Sequence, residues 1–83
     1  MSDYSLIPPA IMEGLIAHRD RLHPVGGFLT ACLENDLRGA ISRADEGSAR
    51  GLFQIVGWLY WEMPSPAWGS REKVRAWLEG EPA

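Results

Sequence analysis

The sequence has 83 residues, which is enough for one domain and too few for two. With 46% hydrophobic and 23% charged residues, it has an ordinary globular composition, and this excludes a disordered or low-complexity chain. The net charge of −3 argues against a protein that mainly neutralises nucleic-acid phosphates, and the longest apolar run falls short of the ~18–20 residues that span a bilayer.

The first predicted helix opens at Pro8-Pro9 and runs to Arg19. Proline suits the first helical turn, because the N–H that it lacks has no helical acceptor there. Ile11 and Leu15 follow with the spacing of one helical face. The segment after this helix contains a proline and two adjacent glycines, which are residue types that interrupt helices. It therefore predicts a turn.

The second predicted helix runs from Phe28 to Leu37. Leucines recur every fourth residue at Leu29, Leu33 and Leu37, so one face of this helix is apolar. Gly39 follows and is suited to end the helix. The apolar stripe continues beyond it, however, so the sequence leaves open whether the helix ends or kinks at Gly39.

A polar connection over residues 43–48 offers Asp45 or Ser48 as the N-cap of the next helix. The third predicted helix runs from Leu52 to Met63 and stops before a proline. Apolar residues occupy more than half of its circumference, which is typical of a helix in the middle of a bundle. We therefore expect this helix to be the central element of the fold.

Four tryptophans are many for so small a core. Trp58 and Trp61 fall on the rim of the apolar surface of the third predicted helix, and Trp68 lies on a proline-rich loop. Tryptophan is enriched at protein interfaces. These three residues are therefore the candidates for a partner interface, although all four tryptophans could instead fill the core.

The last predicted helix runs from Arg71 to Glu79, with Ser70 as its N-cap and Gly80 as its terminator. No stretch shows the two-residue alternation of a strand. The sequence therefore predicts an all-α fold, a bundle of about four helices.

We expect this bundle to be a single domain over residues 1–83, with an ordered core at about 8–79. A domain of this size buries a small share of its surface and is marginally stable without a disulfide, a metal or a partner subunit. Because disulfide and cysteine-based zinc sites are excluded by the single cysteine, we expect a homo-oligomer.

Few residues have the spacing of a catalytic or metal site. His18 and His23 lack a third ligand at a suitable distance along the chain, so we interpret them as two surface histidines near a turn. Cys32 lies on the apolar face of the second predicted helix, which is typical of a buried structural thiol. We therefore expect no enzyme activity, no metal and no cofactor.

Two glycines, Gly26 and Gly27, stand directly before the second predicted helix, where free amide groups can bind an anion. His23, Phe28 and Arg43 are further candidates for contacts to such a ligand. The segment lacks the lysine and the spacing of a phosphate loop, so the glycines could equally serve to turn the chain.

The order of residues over 8–78 resembles a family of short proteins of tailed bacteriophages and prophages. The matching pattern is GGFLxAxLENDL at 26–37, RAD at 43–45 and WGSxxKVxxW at 68–77. The resemblance implies a setting, a phage gene expressed in the bacterial cytoplasm. Trp58 and Trp61 stand where smaller or polar residues are expected in relatives.

Three functions fit these observations. The first is a phage accessory protein that counters host defence by binding and blocking a host protein. The second is an oligomeric sponge that sequesters a nucleotide second messenger, and the third is a virion-assembly or regulatory helical protein. The first residues lack a basic and apolar leader, so we expect a location in the host cytoplasm, without membrane or nucleic-acid partners.

Overall fold

The computed structural model describes residues 3–80; residues 1, 2 and 81–83, which the single-domain prediction included, lie outside that range. Within that range six α-helices form: α1 (Pro9–Arg21), α2 (Gly27–Leu33), α3 (Leu37–Arg43), α4 (Glu46–Arg50), α5 (Leu52–Glu62) and α6 (Arg71–Leu78). A 3-10 turn, Ser65–Ala67, precedes α6. Within residues 3–80 there is no strand, so the all-α prediction is confirmed, whereas the number of helices was underestimated.

Helix α1 begins where the proline pair predicts, with Pro8 as the flanking residue and Pro9 in the first turn. The helix continues two residues beyond the predicted end. It stops at Leu22, whose φ of 52° is left-handed and incompatible with a further helical turn. Leu15 and His18 point into the core from this helix and are fully buried.

The second predicted helix is divided into α2 and α3, and the division does not occur at Gly39. The chain breaks at Asn35, which has a left-handed φ of 62°, and Asp36 caps α3 by accepting a hydrogen bond from the Gly39 amide at 3.0 Å. Asparagine tolerates the left-handed region and aspartate is a strong N-cap, so two adjacent residues together end one helix and start the next. Gly39 lies inside α3.

The junction of α4 and α5 is held by the N-terminal segment. Asp45 caps α4 through the Ser48 amide at 2.7 Å, and Gly51 joins the two helices. The Leu6 carbonyl packs against Gly51, leaving no room for a side chain there. The Leu6 amide donates to Gln54 Oε1 at 2.6 Å, so the N-terminal segment is fastened across this junction.

Helix α6 forms as predicted, with the Ser70 hydroxyl accepting a hydrogen bond from the Lys73 amide at 3.1 Å, and it ends one residue early, at Leu78. The loop before it is joined to α2, because the Gly69 amide donates to the Leu33 carbonyl at 2.7 Å. Gly69 has a φ of 116°, which a residue with a side chain rarely adopts.

The core is built mainly from α1, α2 and α5. Its largest fully buried side chains are Leu15, His18, Leu33, Ile55 and Leu59. His18 was expected on the surface, and that expectation is wrong. Its Nε2 lies 3.0 Å from the Ala67 carbonyl, and its own carbonyl accepts a hydrogen bond from Trp77 Nε1 at 2.7 Å. This residue therefore joins α1 to the 3-10 turn and to α6.

Candidate interaction surface

The outer side of α5 is apolar and exposed. Phe53 is 90% exposed, Tyr60 is 68% exposed and Trp61 is 65% exposed. The rings of Tyr60 and Trp61 meet edge to face, with centroids 5.0 Å apart. From Leu52 to Trp61 the sequence contains no charged residue. This side of α5 thus offers large aromatic side chains to solvent with no charge among them.

Helix α3 extends this surface. Leu37 and Ile41, one helical turn apart, are 67% and 54% exposed. Leu37 and Val56 line the same hollow of about 240 Å³, with Asp36 also in its lining, so the exposed apolar side chains of α3 and α5 border each other there. We name this surface the aromatic face and define it by six residues: Leu37, Ile41, Phe53, Val56, Tyr60 and Trp61.

The aromatic face is large for a chain of this size. With aromatic side chains covering 150–250 Å² each, its six residues expose on the order of 700 Å². Monomeric proteins rarely expose contiguous apolar patches beyond about 300–600 Å², and larger patches mark interaction sites. The aromatic face therefore has the size of a surface that another molecule covers.

The opposite side of α5 explains why these side chains remain outside. Ile55 and Leu59 are fully buried there, and Trp58 is 5% exposed. A helix that is apolar all round can bury both sides only if elements pack on both, and this short chain supplies partners for one. Helix α5 therefore contributes to the core from one side and leaves its other side uncovered.

The structure separates the three tryptophans predicted to form an interface. Trp61 is exposed on the aromatic face, whereas Trp68 is half-buried and lines the hollow beside Leu37. Trp58 is a core residue, so its prediction as an interface residue is wrong for the folded chain. The Arg19 guanidinium lies over the Trp58 ring, 5.3 Å from its centre.

Sequence reasoning missed Phe53 and Tyr60, which it counted with the apolar, core-facing set. A signal for them does exist. α5 has apolar residues around its entire circumference, and a chain of 83 residues is too short to enclose such a helix on every side.

The residues predicted to bind a nucleotide come together in part. His23, Gly26, Gly27 and Phe28 line one groove of about 460 Å³ between α1 and the start of α2. Arg43 lies outside this groove. Its side chain packs against Gly27 from a neighbouring hollow of about 230 Å³, and its Nη1 donates to the Gly39 carbonyl at 3.3 Å. Four of the five candidates thus share a groove, while Arg43 braces α3.

A second groove, of about 470 Å³, lies between α2 and α6 and is lined by His18, Arg71 and Arg75. Glu34 also lines it, 3.9 Å from Arg71. Burial lowers the pKa of His18, against a smaller opposing effect of the Ala67 hydrogen bond, so the imidazole is neutral at pH 7. Within the described chain no group reaches its Nδ1.

The single cysteine, Cys32, lies in the core. Burial raises the pKa of Cys32 to about 11, so its thiol is protonated at neutral pH, and its side chain is buried as predicted. Among residues 3–80 no group of three or more His, Cys, Asp or Glu side chains could hold a metal ion. In the same range, every helix is too short or too polar to cross a membrane.

Comparisons with protein-family models, with curated proteins and with solved structures give no match to this chain. The resemblance to phage and prophage proteins therefore stays a prediction. Function has to be inferred from the aromatic face and from the two grooves.

Proposed function

We propose that the protein is a non-catalytic accessory protein of a phage, which binds and blocks a host protein through the aromatic face. The observation that carries this proposal is the exposure of Phe53, Tyr60 and Trp61 side by side on one helix. The bacterial cytoplasm is the setting that the resemblance to phage and prophage proteins implies, and a role against host defence is our proposal for a small acidic protein in that setting.

The composition of the aromatic face fits a protein-binding site. Tyrosine and tryptophan are enriched among the residues that dominate binding energy, and charged side chains are depleted at the centre of interfaces. The α5 part of the face fits this depletion, because no charged residue lies between Leu52 and Trp61. An uncharged centre with large aromatic side chains is typical of protein–protein interfaces.

The proposal is tested by capturing partners from a bacterial host that produces the tagged protein. The double variant Phe53→Ala, Trp61→Ala should bind its specific partner with an affinity that is lower by roughly 30-fold or more. This is the loss expected where the two residues together contribute at least about 2 kcal/mol of binding energy. Both side chains are mostly solvent-exposed, so the fold should persist, and circular dichroism checks this.

The matched control is the double variant Arg50→Ala, Lys73→Ala, which removes two exposed side chains from α4 and α6. It should retain the partner, which is then purified and titrated against both double variants. Equal affinity of the partner for wild type and for the aromatic double variant would refute the proposal.

A second candidate function, sequestration of a nucleotide second messenger, is favoured by the groove that His23, Gly26, Gly27 and Phe28 share. Its volume of about 460 Å³ is in the range of small-molecule sites. Amides in the first turn of α2 lack helical acceptors and are available to an anion.

Thermal unfolding with a panel of cyclic and ADP-ribose nucleotides tests this second function. A ligand at 100 times its Kd should add about 2.7 kcal/mol to the free energy of unfolding. Gly26→Leu should abolish the effect, because a Cβ at Gly26 meets no neighbour and the longer side chain can fill the groove. An unchanged melting temperature with every nucleotide would exclude this function for the panel.

A further inference from the structure

We infer that, in the absence of another partner, the aromatic face binds a second copy of this chain in a two-fold dimer in which the two α5 helices cross at Gly57. This concerns the face on which the proposed function rests, and it gives the state of that face before a host protein binds. The predicted homo-oligomer then acquires a specific interface.

The first argument is area. The aromatic face exposes on the order of 700 Å² per copy, and a stable interface of standard size buries about 800 Å² per partner. Two copies that cover each other's aromatic face would bury on the order of 1,400 Å², which lies within the range of about 1,200–2,000 Å² for stable complexes.

The second argument is charge. Each copy carries a net charge of −3, so two copies repel each other wherever their acidic surfaces meet. In a two-fold interface the same patch is used by both copies, and a charge at its centre would lie close to its own duplicate. Because α5 has no charged residue from Leu52 to Trp61, this repulsion is absent along the α5 part of the aromatic face, where the two helices are inferred to cross.

The third argument is shape. Gly57 lies on the outer side of α5, one helical turn from Phe53 and from Trp61, and a Cβ built on it meets no atom within 4 Å. It therefore forms a notch between large rings. A notch of this kind lets a second helix approach closely and receives an aromatic ring from it, as in the packing of ridges into grooves.

Such pairing would regulate the proposed function. A host protein would compete with the second copy for the aromatic face, so capture would require the dimer to dissociate. At high concentration the free protein would keep its apolar surface covered, and at low concentration it would expose that surface to its partner. This regulatory step depends on the proposed function, whereas the pairing itself does not.

Sedimentation equilibrium of the full chain over about 1 to 100 µM tests the pairing, since interfaces of this area have Kd values from micromolar downward. The wild type should reach twice the mass of the monomer. Phe53→Glu should remain at the monomer mass, because dimerisation would bury a carboxylate without a partner in an apolar interface. Phe53 is 90% exposed and lies in the first turn of α5, where glutamate is favourable, so this variant should fold.

Ala10→Glu is the matched control. It adds the same charge at an exposed position in the first turn of α1, away from the aromatic face, and should dimerise like the wild type. A wild type that keeps the monomer mass to 100 µM would overturn the inference, and so would a dimer that Phe53→Glu leaves intact.

The outcomes for pairing and for the proposed function are distinguishable. A monomeric wild type that still loses its host protein in the Phe53→Ala, Trp61→Ala variant would leave the function standing and reject the pairing. The opposite outcome has two parts: the wild type is a dimer that Phe53→Glu converts to a monomer, and the affinity for the host protein is unchanged in the Phe53→Ala, Trp61→Ala variant. That outcome would support the pairing and reject the function.

Discussion

The two sides of α5 have nearly the same composition and opposite surroundings. On the inner side, Ile55 and Leu59 are fully buried and Trp58 is 5% exposed; on the outer side, Phe53 and Trp61 are 90% and 65% exposed. An apolar composition thus indicates that one side of a helix is buried by something. It does not indicate whether the rest of the same chain or another molecule buries it. Substitutions matched across α5 can measure the difference.

The largest expected effect comes from comparing two tryptophans three residues apart. Trp58→Ala leaves a cavity in the core and should lower the free energy of unfolding by about 3–5 kcal/mol, whereas Trp61→Ala should change it by less than about 0.5 kcal/mol. Urea unfolding followed by far-UV circular dichroism, at low protein concentration, measures both. Equal losses would mean that the outer side is also packed within the monomer.

A smaller loss of stability is expected from a substitution at Gly51, where α4 joins α5. Gly51→Ala places a methyl group where the Leu6 carbonyl lies, so the N-terminal segment must shift and its hydrogen bond to Gln54 weakens. We expect a loss of about 1–3 kcal/mol in the free energy of unfolding. Thermal or urea unfolding measures it.

Gly47→Ala is the control for this substitution, because its Cβ would meet only the Asp45 carboxylate, at an ordinary distance of 3.7 Å. Gly47 is an exposed position in α4, so the substitution should raise stability slightly, because alanine favours a helix more than glycine does. If Gly51→Ala proved as harmless as Gly47→Ala, the N-terminal segment would not be fastened at this junction.

Local signals in the sequence were sufficient for several elements. A proline in the first turn fixed the start of α1, and Ser70 fixed the start of α6 through its side-chain cap. Such signals depend on a few neighbouring residues and on backbone chemistry, so they need no knowledge of the tertiary fold. The end of α5 was predicted to within one residue in the same way, from the proline that follows it.

Competition between local signals was harder to resolve. Gly39 and the pair Asn35-Asp36 can each end a helix, and the sequence does not rank them. In the fold the Asp36 carboxylate caps α3 through the Gly39 amide, so the glycine becomes part of the helix that the aspartate starts. A single capping hydrogen bond decides between the two breaks.

Long-range burial was the least predictable property. Helical periodicity shows which residues share a side, and α5 has apolar residues on every side, so periodicity could not separate Trp58 from Phe53. His18 was misplaced because its hydrogen-bond partner, Ala67, is 49 residues away in the sequence. The sequence therefore showed that α5 is rich in aromatic residues, but it did not show which of these residues are exposed on the aromatic face.

His18 offers a test of the inner region through pH. Because burial lowers its pKa, the unfolded chain binds the proton more readily than the folded chain, and stability should fall as pH falls below about 6.5. We expect the free energy of unfolding to be lower at pH 5.5 than at pH 7.5, measured by urea unfolding at each pH.

The control for this pH dependence is His18→Gln, whose amide can still donate to the Ala67 carbonyl. This variant should be less stable overall, but with a shallower dependence on pH in the same range. His23→Gln, which removes the exposed imidazole, should retain the dependence. A profile for His18→Gln as steep as that of the wild type would assign the loss to other groups.

The smallest expected effect is that of a substitution at Gly57, on the outer side of α5. It is specific to this side because it should raise the stability of the monomer and lower the affinity of the dimer. Gly57→Ala should stabilise the monomer by about 0.5–1 kcal/mol, since alanine favours the helix and a Cβ there meets no neighbour. The same methyl group would partly fill the notch at which the two α5 helices cross, so the dimer should dissociate at higher concentration. Urea unfolding at low concentration and sedimentation at high concentration measure the two effects. A variant that strengthens both folding and dimerisation would show that the helices do not cross at Gly57.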